Sequence, residues 1–279
     1  MRIKTKTKIK IAGAIFRLIK LFVPSLVNKP DLIVSRNRIK WKLNLSEGID
    51  LSIFIFGCFE KDTSSALKRI IQPTNHVLDI GANVGAHALP IASLLDSSGR
   101  VLAIEPTQFA YTKLLDNLKL NPNLANRINT YQLMLVKNNS LDEKSELYSS
   151  WPVDKEQDSH DTHGGVLKST VGCSKETLDE FCGRLNIEKL DVIKLDVDGS
   201  EAAVIDGGRK TLQKFHPMIV MELAPYVYEN YNEFLSLISL LKKYNYSFYH
   251  LNGKKIKQSI PDEIEYIIPP GASLNVIAK

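Results

Sequence analysis

The stretch Val77-Leu78-Asp79-Ile80-Gly81-Ala82-Asn83-Val84-Gly85 constrains the fold more than any other part of the chain. An apolar run ends in an acid and two glycines, and helix-period residues follow. Glycines in such a turn allow positive φ and let a ligand approach the backbone. The helix N-terminus beyond offers free N–H groups to a polar or anionic ligand. The pattern then repeats. Apolar strands are expected at His76–Ile80, Val101–Glu105, Ile128–Leu135, Asp191–Asp196 and Pro217–Glu222. Helices should begin near Gly85, Thr107, Lys175 and Glu201, with a long one from Val227 to Tyr244. Such alternation predicts an α/β chain with a parallel sheet covered by helices on both faces.

The first 73 residues lie outside this alternation. The opening, MRIKTKTKIKIAGAIFRLIKLFVPSLV, pairs a basic start with apolar residues. Arg17 and Lys20 interrupt the apolar run and no small-x-small site follows, unlike a secretory signal. The run is too short and too charged to span a bilayer. Written as a helix closed by Pro24, it gathers Lys10, Arg17 and Lys20 on one stripe. Ile11, Ile15, Leu18, Ile19 and Phe22 fill the opposite face. Such a helix over residues 8–23 suits a membrane surface, its own core or a second subunit. Leu32–Val34, Ile39–Leu43 and Leu51–Phe56 read as a small antiparallel element, and Asp62 to Ile71 as a helix stopped by Pro73. Residues 137–169 are polar, without periodicity, and read as a lid-like insertion.

Charge and cysteine content exclude several classes. Among 279 residues, 36 Lys and Arg against 31 Asp and Glu leave +5, too mild to indicate nucleic acid. Cys58, Cys173 and Cys182 form no CxxC pair, which excludes a zinc ribbon or disulfide scaffold and fits the cytoplasm.

Site chemistry gathers at strand ends. The turn has GxxxG spacing, not the GxGxxG of dinucleotide binders, so a ligand without phosphates such as S-adenosylmethionine (SAM) fits better. Glu105 ends the second strand about 20 residues past the glycines, where an acid reaches ribose hydroxyls. The structural alternative is an acid stabilised at a helix N-terminus. Asp196, Asp198 and Glu201 crowd the end of the strand Asp191–Asp196, where like charges need relief, and Lys194 shares a face with Asp196. A capped helix start, with Asp198 or Ser200 as N-cap, explains part of this cluster equally well. Glu222 ends its strand at the same edge. His87 either points into the site or packs.

At these residues the chain resembles the FkbM-type methyltransferase family. DIGANVG at 79–85, Glu105-Pro106, KLDVDGSE at 194–201 and Pro217–Glu222 carry the resemblance, which covers roughly 76–250. Asp198 departs from the Glu found in many members. The resemblance implies a Rossmann-like class I SAM-dependent methyltransferase fold over 74–279, seven-stranded and mostly parallel, behind an N-terminal helical/β extension at 1–73. It implies methyl transfer to a hydroxyl of a sugar, a glycan or a related small-molecule acceptor. Asp79, Gly81, Asn83 and Gly85 would line the methionine and ribose parts of SAM. Glu105 with Pro106 would hold the ribose, and Asp196 would face the methyl group.

A sugar hydroxyl needs a base, for which Asp196, His163 and His160 are candidates. Trp151, His163, Gly164, Asp198 and Glu222 are candidates for the acceptor. Asp196, Asp198 and Glu222 are also oxygen ligands suited to a divalent metal, although capping explains their spacing and no metal is expected. Competing readings are an NAD-dependent oxidoreductase, a nucleic-acid methyltransferase, which would want a basic aromatic face, and an inactive membrane-recruited scaffold. The oligomeric state stays open.

Overall fold

The fold is taken from a computed structural model, which describes residues 5–27, 29, 31–138, 146–149, 152–153, 166–228, 230–257 and 267–279. The chain opens with α1 (Thr5–Phe22), α2 (Pro24–Val27), β1 (Leu32–Arg36), β2 (Ile39–Leu43), α3 (Gly48–Phe56) and α4 (Lys61–Ile70). Pro24 ends the first helix as expected and then serves as the first residue of α2, where its missing N–H costs nothing. The docked face of α1 centres on Phe16, which is buried, with Ala12 and Ile19 packed nearby. Ile11, Leu18 and Phe22, expected on one apolar face with Ile15 and Ile19, stay exposed.

β1 and β2 form a hairpin whose turn, Asn37-Arg38, has both residues at positive φ. The run Leu51–Phe56, expected as a strand, is helical in α3. Short apolar runs do not separate strand from helix by periodicity. Here Gly57 at φ 74 closes the helix, its N–H reaching Ile53 O.

The sheet follows as β3 (His76–Ile80), α5 (Ala88–Ala92), β4 (Arg100–Ile104), α6 (Gln108–Lys119), α7 (Pro122–Ala125) and β5 (Ile128–Tyr131). The expected strand Ile128–Leu135 breaks at Gln132. There β6 (Leu133–Leu135) leaves the sheet, and β7 (Glu146–Ser149) and β8 (Val166–Ser169) form a separate antiparallel pair. β6 pairs with β9 (Ser174–Glu176), while Gln132 donates to Val171 O at 2.9 Å and holds the returning segment. The helix expected near Lys175 starts later, as α8 (Leu178–Arg184), behind a capping box between Thr177 and Glu180. Then come β10 (Val192–Leu195), α9 (Glu201–Asp206), α10 (Arg209–Phe215), β11 (Met218–Leu223), α11 (Tyr231–Lys243), β12 (Phe248–His250) and β13 (Leu274–Ala278).

Seven strands lie in the order β12-β13-β11-β10-β3-β4-β5. All run parallel except β13, which is antiparallel to β11 and β12. Helices cover both faces. One apolar core holds Leu78, Ile193, Phe181 and Phe234, and the other holds Val77, Val101, Trp41 and Phe16. The hairpin and α3 therefore share a core with the sheet. Asn117 of α6 fastens them, accepting from Lys42 N at 2.8 Å and donating to Val84 O at 2.9 Å. The chain leaves β3 toward β4 on one side and returns as β10 on the other. The crevice at that reversal is where open α/β sheets bind ligands.

Candidate active site

A cavity of about 910 Å³ opens at this reversal. Gly81, Ala82 and Asn83 form one wall, with Glu105 and Pro106 beside them, and Asp196, Asp198 and Glu222 face across. Gly81 sits at φ +77, and a Cβ there would stand 1.9 Å from Asp196 O, so the turns after β3 and β10 touch. Asn83 takes φ 49, a conformation Asn tolerates better than most residues, and its Oδ1 accepts from Val84 N at 2.9 Å.

Glu105 is buried and locks this turn. Its Oε2 accepts from Asn83 N at 3.0 Å, and its Oε1 accepts from Thr107 N at 2.9 Å and Thr107 Oγ1 at 2.5 Å. One lone pair of Oε2 remains for a ligand hydroxyl. The turn's own amides are consumed. Gly81 N and Ala82 N donate to Ile104 O, Asn83 N to Glu105, Val84 N to Asn83 and Gly85 N to Ala82 O. A diphosphate finds no amide cradle there, which removes the main device of dinucleotide binding.

Lys194 is a buried hub that lines the same cavity. Its Nζ lies 3.3 Å from Asp196 Oδ2, 3.8 Å from Asp79 Oδ1 and 3.3 Å from Gly81 O. Burial opposes its charge, but Asp196, Asp79 and Glu60 outweigh that and hold it protonated above the usual lysine range. Asp79 and Gly85, expected to line SAM, stand behind the cavity wall. Asp79 is fully buried beside Lys194, and a Cβ at Gly85 would strike Leu89 and Leu114 side chains at 2.3 and 2.8 Å.

Glu201 organises the second turn. It accepts from Val197 N at 3.1 Å, from Gly199 N at 3.1 Å and from the Tyr228 hydroxyl at 2.8 Å. Ser200 is the N-cap residue without a side-chain cap bond, so neither Ser200 nor Asp198 caps α9 through its side chain. Asp198, at φ 48, is exposed to the cavity. Surrounding protein, then Asp196 and Glu201, push its carboxyl up to about 8.

Two residues that pattern reading passes over or leaves undecided complete the site. Glu60, at φ 46 just before α4, reaches the cavity, where Asn275 Nδ2 donates to its Oε2 at 3.2 Å. Burial and then Asp196 raise its carboxyl, and burial, Asp196 and Glu60 raise that of Glu222 further. Its only sequence signal is an isolated acid before a helix. His87 also lines the cavity. It is buried against Phe59, and neither ring nitrogen has a hydrogen-bond partner among the described residues.

Trp151, His160, His163 and Gly164 lie outside the described residues. Among the described residues no group of three or more His, Cys, Asp or Glu side chains is placed to hold a metal. No helix among them is long and apolar enough to cross a membrane. The donor set, acidic and phosphate-averse with one carboxylate open to a ribose, fits SAM, whose sulfonium is cationic. SAM is the cofactor.

Comparison with known proteins shows the family through a family model. Residues 79–248 match the model of the methyltransferase FkbM domain. No curated protein matches the sequence. Among solved structures, an FkbM methyltransferase from Methylobacillus flagellatus is 16% identical over 75% of this chain, with a TM-score of 0.45. This chain spans 44% of that protein's length. The fibrillarin of Aeropyrum pernix, with natively bound SAM, is 12% identical over 90% of this chain and 82% of its own, with a TM-score of 0.43. The family match spans more than half of the sequence and includes both turns of the site, and the chain is a methyltransferase belonging to the FkbM family.

Proposed function

We propose that this methyltransferase acts on a hydroxyl of a sugar, glycan or related small acceptor. The observation that supports this best is the convergence of Glu60, Asp196 and Glu222 on one cavity beside the cofactor turn. SAM, when bound, supplies an electrophilic methyl group. The protein's tasks are then to align the acceptor oxygen and to receive its proton. Alignment alone supplies up to about 7–11 kcal/mol of a barrier. A positioned base adds about 10²–10⁴-fold. Glu60 and Glu222, whose carboxyls burial raises, suit a weakly acidic hydroxyl. As the oxygen–carbon bond forms and the carbon–sulfur bond breaks, the hydroxyl proton passes to this group, and Lys194 fixes Asp196 within it.

Glu105 is assigned to the ribose hydroxyls, with Gly81, Asn83 and Pro106 lining the rest of the cofactor. Asp198 and Glu222 are assigned to the acceptor. Residues 8–23 are assigned to a membrane surface, which flotation with vesicles, with and without residues 1–27, tests.

The function is tested in two steps. Calorimetry should give micromolar binding of S-adenosylhomocysteine, none of NAD, and loss of the former in Glu105→Ala. Label should then pass from methyl-tritiated SAM to members of a glycan panel. NAD binding in place of S-adenosylhomocysteine would return the oxidoreductase reading. Labelling of amines or carbon centres alone would overturn O-methylation.

A further inference from the structure

The cavity is larger and more varied than its cofactor turn requires. Its deep end carries Glu60, Asp196 and Glu222, while its outer end is lined mainly by hydrocarbon of α1 and α3, with Ser52 of α3 among it. There Ile11, Ala12 and Ile15 of α1 face Ile49, Ile55 and Phe56 of α3. Three of these keep large solvent exposure: Ile11 at 48%, Ile55 at 37% and Phe56 at 64%. Sugars bind through hydrogen bonds, and these side chains offer none. Apolar surface left wet on a cavity wall marks a ligand site. The same helix carries Leu21 and Phe22, exposed at 71% and 75%, beyond the cavity. Lys10 and Arg17 are exposed on α1 as well. That is the composition of a helix lying at a lipid surface, so the apolar end of the cavity lies next to a face suited to lipid.

We propose that the acceptor is an amphiphile: its hydrocarbon arm lies between α1 and α3, and its hydroxyl-bearing head reaches Asp196. This rests on the methyl-transfer reading of the deep end. The two ends of one cavity then match the two ends of one molecule. The arm's burial covers Ile11, Ile55 and Phe56, and the tail holds the head in register with the carboxylates. Each buried methylene contributes about fourfold in affinity, so the tail dominates binding while the head selects the reaction.

The test uses the full chain loaded with S-adenosylhomocysteine and titrated with maltose, octyl maltoside and decyl maltoside below their micelle concentrations. Affinity should rise about tenfold or more from octyl to decyl, with maltose alone unmeasurable. Phe56→Asp and Ala12→Trp should each weaken decyl maltoside at least about tenfold while S-adenosylhomocysteine affinity stays within about twofold. Phe56 is exposed, so its variant does not disturb the core, and retained cofactor-product binding reports folding in both. Flat affinity across chain lengths, or a chain-length dependence surviving both substitutions, overturns the amphiphile inference and leaves methyl transfer standing. Absence of S-adenosylhomocysteine binding in the wild type overturns the methyl-transfer reading and this inference with it.

Discussion

Gly81 and Asp196 meet backbone to backbone, so close that a single added carbon at 81 would stand 1.9 Å from the Asp196 carbonyl oxygen. The two turns that build the cofactor crevice are thus one contact, made where the order of strands reverses.

Gly81→Ala therefore faces two obstacles, φ +77 and a rigid backbone neighbour. It should cost more than about 1 kcal/mol in stability and weaken S-adenosylhomocysteine binding by about a hundredfold, because the turn after β10 has to move. Gly85→Ala shares the positive φ but meets leucine side chains, which can shift. It should lower stability while leaving binding within about tenfold. Calorimetric titration beside denaturant unfolding distinguishes these outcomes, and equal loss of affinity in both variants would contradict the placement of Gly85 behind the wall.

Lys194 is buried between Asp79 and Asp196. Replacing it with Met leaves Asp79 charged or forces it to take a proton, at about 3–5 kcal/mol for a broken buried pair. Adding Asp79→Leu should recover part of that loss, because the orphaned carboxylate goes too. Urea unfolding of the single and double variants checks this. A double variant no more stable than Lys194→Met would show that the pairing with Asp79 is unimportant.

Much of this was legible before any coordinates. A buried strand running into Gly81, an acid ending the next strand at Glu105, and an acid after β10 at Asp196 are local patterns, and local patterns survive folding. What escaped depended on distant partners. Glu60 joins the site because Asn275, from the last strand, donates both to it and to Thr63 of α4. Gln132 breaks a strand because residues 171–174 return beside it. Asp79 and Gly85 belong to the same motif as Gly81, yet Asp79 is buried beside Lys194 and Gly85 packs against Leu89 and Leu114, a distinction of packing that spacing alone does not carry.

Asp198 should make stability fall as pH rises. Its folded carboxyl, pushed up to about 8 by the surrounding protein and then by Asp196 and Glu201, exceeds its ordinary value of 3.8. Between those values the folded protein binds more proton than the unfolded chain, so rising pH favours unfolding. Asp198→Asn removes this contribution, and Asn is also at ease at the φ of 48 found here. Exposure to the cavity screens part of the repulsion, which limits the gain to about 2–4 °C in Tm. The variant should match wild type near pH 4 and exceed it at pH 8, as followed by circular dichroism melts. A constant offset across that range would place the effect in the backbone.

His87 should produce the opposite slope. Burial, and then Lys194, lower its imidazole well below the usual 6.5. The folded protein keeps it neutral while the unfolded chain protonates it below pH 6.5, so stability falls as the medium is acidified. Both ring nitrogens also lack partners among the described residues, which costs about 1–3 kcal/mol for a buried polar group. His87→Leu, packed against Phe59, should thus raise Tm at pH 7.5 and raise it further at pH 5, with ligand absent from both measurements. A gain of the same size at both values would mean that the histidine's proton plays no part. A loss at pH 7.5 would mean that the imidazole is satisfied within the folded chain.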